Sequence, residues 1–420
     1  MVYRTVCFLL CTFALAPLTG HTTTALSLAE AQSIAAKEAP QLAAQDAALR
    51  AAQQASIGAA ERPDPKLIIG LDNLPLDGAD RYNVTRDFMT MRKIGFMQDF
   101  TRSEKLQLRG ERASAEVQKE AAVLQQSAAT LQRDVALAWL ETYFAERQLA
   151  QLKELVNETR LEVTAAQAAL AGGKGQAADP FAARISAAQL DDRISDAERQ
   201  VTKSRANLAR WIGDQATRPL DSAPAFEVPD HEHAALLNNF DNLPHLAMYA
   251  PLQAIADSEV RLAEAAKHPD WSLEIVYAQR GPTYSNMLSI GVRIDLPIFQ
   301  SRRQDPAIAA KLALAEQARA VTEDAKRAHV AEIKNLMADW ESAKARVQRY
   351  QSTLLPLAHE RSAVSLAAYR GGKADLIPVI EARKGEIDMR MNLLQAQSEL
   401  ARAWANLHFL LPDAKSKDTP

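Results

Sequence analysis

The sequence predicts a mainly α-helical chain that also supplies strands to a membrane β-barrel. The expected architecture is a long coiled-coil α-barrel joined to a transmembrane β-barrel shared between copies. Three observations predict it. Two uninterrupted helical patterns, residues 103–170 and 302–369, are far too long for a compact domain. Four short segments alternate apolar and polar residues. The order helix, strand pair, long helix, tight turn, return helix occurs twice along the chain.

The duplication is clearest at two glycine turns. Ala171-Gly172-Gly173-Lys174 and Arg370-Gly371-Gly372-Lys373 lie 199 residues apart. The same shift carries Ala183-Arg184 onto Ala382-Arg383 and Ala206-Asn207-Leu208 onto Ala405-Asn406-Leu407. A fixed offset of this kind marks an internal repeat. The first unit is expected over 26–212, with a β-hairpin at 66–100 and a tip at 171–175. A connector follows over 213–242. The second unit is expected over 243–411, with a hairpin at 272–296 and a tip at 370–374, and 412–420 form a tail.

Composition agrees with closely packed helices. Hydrophobic residues make up 47% of the 420 positions while aromatics make up 6%, so small apolar side chains dominate. The net charge of −3 and pI near 6.3 give no reason to propose a nucleic-acid partner. Residues 1–25 read as a secretory signal: Arg4 is the basic start, Val6 to Ala16 are too short an apolar run to span a bilayer, and Thr23-Thr24-Ala25 (or Gly20) offer a cleavage site. Cys7 and Cys11 fall inside that run, so the exported chain is expected to have no disulfide, no thiolate metal site and no lipidated cysteine.

Along the chain, an Ala- and Gln-rich helix over 26–61 breaks near Pro40 and stops at Arg62-Pro63-Asp64-Pro65. Strands are expected over 66–73 and 88–100. In the second unit a helix over 244–267 stops at His268-Pro269-Asp270, and strands follow over 272–279 and 287–296. The last strand is the most informative. Leu288, Ile290, Val292, Ile294 and Leu296 alternate with Met287, Ser289, Gly291, Arg293 and Asp295, giving one aliphatic and one mostly polar face. A soluble sheet packed on a core would show the same alternation.

The long helices carry heptads. Val117, Leu124, Leu131, Ala138, Ala145 and Leu152 fall seven apart in the first. In the second, Ile333, Trp340, Val347 and Leu354 do so, with Leu336, Ala343, Tyr350 and Leu357 between them. Pro356 is expected to kink that helix. Return helices are expected over 179–212 and 375–411.

Four amphipathic strands cannot close a barrel alone, and open sheet edges are not tolerated in lipid. Several chains must therefore pool their strands. Two copies would give eight strands with an interior that side chains fill, and three would give twelve, wide enough for a passage that the attached helices extend into water. Conduction is the function such an architecture performs.

The sequence resembles the TolC-type outer membrane efflux proteins over nearly all of the exported chain, and within them the CzcC/CusC-like heavy-metal branch. The carrying residues are Asp72-Asn73-Leu74-Pro75-Leu76-Asp77-Gly78, Asp87-Phe88-Met89-Thr90-Met91-Arg92, Gly95-Phe96-Met97-Gln98-Asp99-Phe100 and Tyr369-Arg370-Gly371-Gly372. The resemblance implies a homotrimer in outer membrane lipid, with a twelve-stranded barrel on a periplasmic α-barrel. It also implies docking onto a hexameric periplasmic adaptor, which connects to a proton-driven inner-membrane pump of the resistance-nodulation-division type. By the same likeness Gly172, Gly173, Lys174, Arg370, Gly371, Gly372 and Lys373 are the adaptor contacts. The family's entrance carboxylates read here as Pro378-Val379-Ile380-Glu381-Ala382, so Glu381 is the one acidic residue left to line the constriction. Glu381 has a plain alternative as a solvated helix residue.

Other motifs carry less. Met89, Met91 and Met97 are expected on one lumen-facing side of the second strand, where thioethers suit Cu(I)-like ions in transit and equally suit plain packing. His231-Glu232-His233 has a chelating composition but falls in the connector. Gly172 to Gly175 lack the spacing of a phosphate-binding loop. The eight histidines outline no active site, so neither an enzyme nor a cofactor is expected. Two rival classes stand beside the metal duct: an efflux duct for organic compounds, and a soluble periplasmic coiled-coil scaffold.

Overall fold

The structure, a computed structural model, describes residues 24–173, 175–228 and 243–410. The first helix pair is α1 (Leu28–Glu38) and α2 (Pro40–Ala59). Pro40 opens α2 where its missing N–H is harmless, and Ser27 caps α1 by accepting from the Glu30 N–H at 3.2 Å. Strands β1 (Lys66–Asp72) and β2 (Met91–Phe100) lead into α3 (Ser103–Ala171), whose 69 residues reach about 100 Å. The return helix α4 (Asp179–Ile212) follows. After α5 (Tyr249–Ala265) come β3 (Trp271–Gln279) and β4 (Met287–Ile294), then α6 (Gln304–Arg349), α7 (Leu355–Arg370) and α8 (Leu376–His408).

The four strands form one antiparallel sheet in the order β1-β2-β3-β4. Its central pair, β2 and β3, joins the two halves of the chain, with Ile94 opposite Tyr277 and Phe96 opposite Ile275. The junction is pinned where strands become helices. Lys105 donates to the Asp270 carboxylate at 2.9 Å and to the His268 carbonyl at 2.8 Å, and the Arg102 N–H donates to the other Asp270 oxygen at 3.0 Å.

The main core lies midway along the helices. Leu131, Val135 and Trp139 of α3 meet Leu208 and Ile212 of α4, Ile333 and Trp340 of α6, and Trp404 and Leu407 of α8. Two indoles fasten extended chain onto it. Trp139 is fully buried and donates to the Leu26 carbonyl at 3.1 Å, and Trp340 donates to the Phe226 carbonyl at 3.0 Å. Arg218 binds the same strap, donating to the Thr24 carbonyl and pairing with Glu30 at 2.7 Å. Nearby, His245 and His329 face each other at 2.6 Å between ring nitrogens. Burial, and then the neighbouring ring, pushes the His245 pKa down to about 4.

Several expectations shift. α5 starts at Tyr249, not at 244, because Leu243 to Leu246 form tight turns instead. β2 starts at Met91 rather than 88, β3 at Trp271, and β4 ends at Ile294. The heptad row 131, 138, 145, 152 is buried as expected, but Val117 and Leu124 are only half-buried. The buried row there is Leu108, Ala115 and Ala122, which changes phase by two residues at the main core. The second long helix is not one α-helix. Tyr350–Leu354 form a π-helical turn that ends two residues before Pro356, which cannot donate and would clash with a carbonyl one turn back. That turn inserts one residue, so Leu357 rotates out to solvent and Ala358 takes its half-buried position.

Trp139 makes the fold's anchoring testable. Trp139→Phe removes the indole donor and should cost about 1–3 kcal/mol, and Trp139→Ala about 3–5 kcal/mol. Denaturant unfolding followed by circular dichroism checks both values.

Candidate functional site

Two regions define what the chain can do: the helical tips and the exposed sheet. At the second tip the chain leaves α7 in a Schellman arrangement. The Lys373 N–H donates to the Ala368 carbonyl at 2.9 Å and the Gly372 N–H to the Tyr369 carbonyl at 3.0 Å. Gly372 has φ +69°, a backbone that a side chain would strain. The first tip closes in the same way: Gly173 has φ +68° and its N–H donates to the Leu170 carbonyl at 3.1 Å. Lys174 lies outside the described residues.

The tips sit side by side. Ala166 and Ala183 bury against Leu376, Val379 and Ile380, and Gln176 donates to the Asp375 carboxylate at 3.2 Å. Gly172, Gly173, Arg370, Gly371, Gly372 and Lys373 are all exposed at this end, so the described tip residues share one surface. Glu381 is exposed on α8, next to the buried Ile380 and Ala382.

One element of this region escaped the sequence reading. Glu386, one turn and a half beyond Glu381, is almost fully buried. Its carboxylate accepts from Arg390 at 2.7 Å and Arg383 at 3.1 Å, and meets His359 of α7 at 3.1 Å. Arg383 also pairs with Glu158 of α3 at 2.8 Å, so the node joins three helices. Burial by itself raises the Glu386 pKa, but the bonds from His359, Arg390, Ser362 and Arg383 outweigh it and hold the value at about 2. The i, i+3 and i, i+4 spacing of Arg383, Glu386 and Arg390 was the available signal. His359 and Glu158, far off in sequence, gave none.

The sheet separates its faces sharply. On one, the row Ile69–Ile94–Tyr277–Leu288 lies beside Leu67–Phe96–Ile275–Ile290, and every one of these side chains is exposed. The other face carries Gly95, Ser272, Val276 and Ala278, with ion pairs Lys93–Asp72 at 2.8 Å, Lys66–Asp99 at 2.8 Å and Arg293–Glu274 at 3.3 Å. A soluble sheet would turn its aliphatic face to a core. Here that face is the uncovered one.

Met91 and Met97 lie on the polar face, as expected, but about 20 Å apart along the strand. Met89 precedes β2 in the turn segment, because Asp87 caps the Met89 and Thr90 N–H groups there. The three thioethers therefore share no single site, and the Met97 sulfur already accepts from Arg293 at 3.2 Å. Among the described residues no group of three or more His, Cys, Asp or Glu is placed to hold a metal, and His231-Glu232-His233 lies outside them. No described helix is long and apolar enough to cross a membrane.

A chain with an outward apolar sheet on a long helical bundle has the fold of outer-membrane channels, and comparison with known proteins agrees. Residues 235–412 match the profile of the outer membrane efflux protein family. Among solved structures, the outer-membrane channel OprN is 17% identical, with a TM-score of 0.78 over 92% of this chain and 89% of its own. VceC, an outer membrane protein of Vibrio cholerae, is 17% identical, with a TM-score of 0.77 over 91% and 95%. CusC, whose structures address transmembrane channel formation, is 15% identical, with a TM-score of 0.77 over 92% of each chain. Among curated proteins no sequence match is found.

The Glu386 node predicts an acid limit. Because its folded pKa lies below the ordinary 4.5, its contribution is complete above pH 4.5 and is lost as pH falls toward about 2. Glu386→Gln should lower the melting temperature at neutral pH and flatten its fall between pH 4.5 and 2. Scanning calorimetry across that range checks the slope.

Proposed function

We propose that this chain is the outer-membrane duct of a three-part efflux assembly, conducting solute from periplasm to exterior. Three copies pool four strands each, β1 of one copy pairing with β4 of the next, to close a twelve-stranded barrel with the apolar face in lipid. The helices extend the passage into the periplasm. The tip residues Gly172, Gly173, Lys174, Arg370, Gly371, Gly372 and Lys373 dock a hexameric adaptor that links the duct to an inner-membrane pump of the resistance-nodulation-division type. Glu381 contributes one carboxylate per copy at the entrance.

The uncovered apolar face, with β1 and β4 left as open edges, carries this reading. Unpaired backbone groups are costly in hydrocarbon, so such a sheet persists in a membrane only if its edges meet other edges. The repeated order of elements, with its two equivalent tips, supports the same duplicated unit inferred from sequence. The chain carries out no chemistry of its own and takes no cofactor in this reading.

The proposed cargo is a heavy-metal cation, such as copper, silver, cobalt, zinc or cadmium, on the strength of the CzcC/CusC-like sequence features. A second reading, a duct for organic compounds, is favoured by the Met97 sulfur being occupied by Arg293. OprN, VceC and CusC match within 0.01 in TM-score, so the shared architecture does not distinguish cargo.

Purified protein should insert into planar bilayers as a trimer and conduct in discrete steps. Ile290→Arg, in the outward aliphatic row, should cost about 2–4 kcal/mol on insertion and abolish most pores. A monomer without conductance would defeat the duct reading. In a deletion strain, lost tolerance to one of the metals with unchanged drug tolerance supports the metal cargo, and the reverse pattern supports the organic one.

A further inference from the structure

Resting on the outer-membrane reading, we propose that the rim of the sheet farthest from the helices binds phosphate groups of a lipid headgroup through Arg81, Arg86 and Arg92. Among the described residues, Arg92 is the only charged side chain on the aliphatic face. It shares that face with Ile94 and Phe96, opposite Leu71, in the last row before the loops. A charge on a lipid-facing strand is tolerated only near the interface, which places this row at headgroup level. Phe100 and Trp271 mark the opposite border. They stack at 4.2 Å, with Arg62 5.5 Å over the Phe100 ring, about 26 Å along the strand from Arg92. The nine residues from Arg92 to Phe100 are the length of a tilted strand that crosses a bilayer.

The three arginines are chemically uncommitted. None forms an ion pair among the described residues, whereas Arg112, Arg205 and Arg346 of the helices all do. Arg92 makes a single bond, 3.5 Å to the Arg280 carbonyl. Arg81 lies 4.7 Å over the Tyr82 ring, bonded to its hydroxyl at 3.5 Å. The Arg86 side chain makes no hydrogen bond among the described residues. Asp77 and Asp80 share the loop without pairing to them, and Asp87 turns an oxygen to its own backbone. Guanidinium groups in this state suit bidentate phosphate contacts.

The loop presenting them is built in place. Asn83 accepts from the Thr85 and Arg86 N–H groups at 2.9 Å each, and Arg280 donates to the Phe88 carbonyl at 2.9 Å. Gly281 packs so tightly on Thr85 that a Cβ there would fall 1.9 Å from its carbonyl oxygen. Exposed Tyr82, Phe88 and Tyr284 ring the same end with the amphipathic side chains that interfaces favour. The charge, the apolar rows below it and the aromatic rim together fit a phosphorylated lipid rather than an acidic protein.

The test uses the full-length oligomer in detergent, titrated with bisphosphorylated lipid A, its dephosphorylated form, or inorganic phosphate. Wild type should bind the phosphorylated lipid at least tenfold tighter than the dephosphorylated one. The combined variant Arg81→Gln, Arg86→Gln, Arg92→Gln should lose that preference, while Arg62→Gln at the other border keeps it. Equal binding of both lipids, or an unchanged preference in the combined variant, overturns the proposal. Displacement by millimolar inorganic phosphate overturns the headgroup assignment, and preferential binding of an acidic polypeptide would reassign the surface to a protein. Bilayer conductance separates the two readings. Pores without phosphate preference sink the lipid proposal alone, whereas a wild type without pores sinks the duct.

Discussion

An aliphatic sheet face with none of the described residues packed over it is the constraint on which the rest of this molecule turns. Rows such as Leu67–Phe96–Ile275–Ile290 are continuous across both halves of the chain, and the opposite face holds glycine, serine and closed ion pairs. In water this arrangement would be an aggregation hazard, since both sheet edges are also open. In the membrane setting proposed above, the same face is stabilised by hydrocarbon and its open edges are where copies join. Under the duct proposal, helices too long for a globule extend a passage away from that sheet.

Polar contacts tie distant parts of the chain together at three levels. Lys105 and Asp270 fix the strand-to-helix junction. The Trp139 and Trp340 indoles bind extended chain to the midpoint core. Glu386 ties α7 to α8, and through Arg383 to α3, near the tips. Between these levels, apolar seams such as Leu152 and Leu155 against Leu190 and Ala197 are joined by further ion pairs, among them Arg112 and Lys311 to Glu259 and Arg193 to Asp388. Alanine seams bring backbones close but contribute little burial per residue.

The sequence was most informative where a local pattern settles the structure. Period-two alternation at 288–294 marked a strand and its faces, and the glycine pairs marked both tips, because φ near +70° excludes most other residues. The heptads located the buried row from Leu131 onward. Legibility failed where distant parts decide. The phase change between Ala122 and Leu131 follows from which helices pack on α3, and nothing in its own pattern announces it. Met89 left the strand because Asp87 captured its N–H. The Glu386 node needs Glu158 and His359, residues that only the packed helices bring near it.

The π-helical turn at Tyr350–Leu354 has one more consequence. A single extra residue advances every later side chain by roughly 100° around the axis, so α6 and α7 are two screws of the same thread cut out of phase. Deleting one residue there would restore a continuous thread and turn Ser362 and Leu366 away from their partners. An alignment that scores such a gap as a trivial length difference would therefore overlook a change of facing along the whole distal segment.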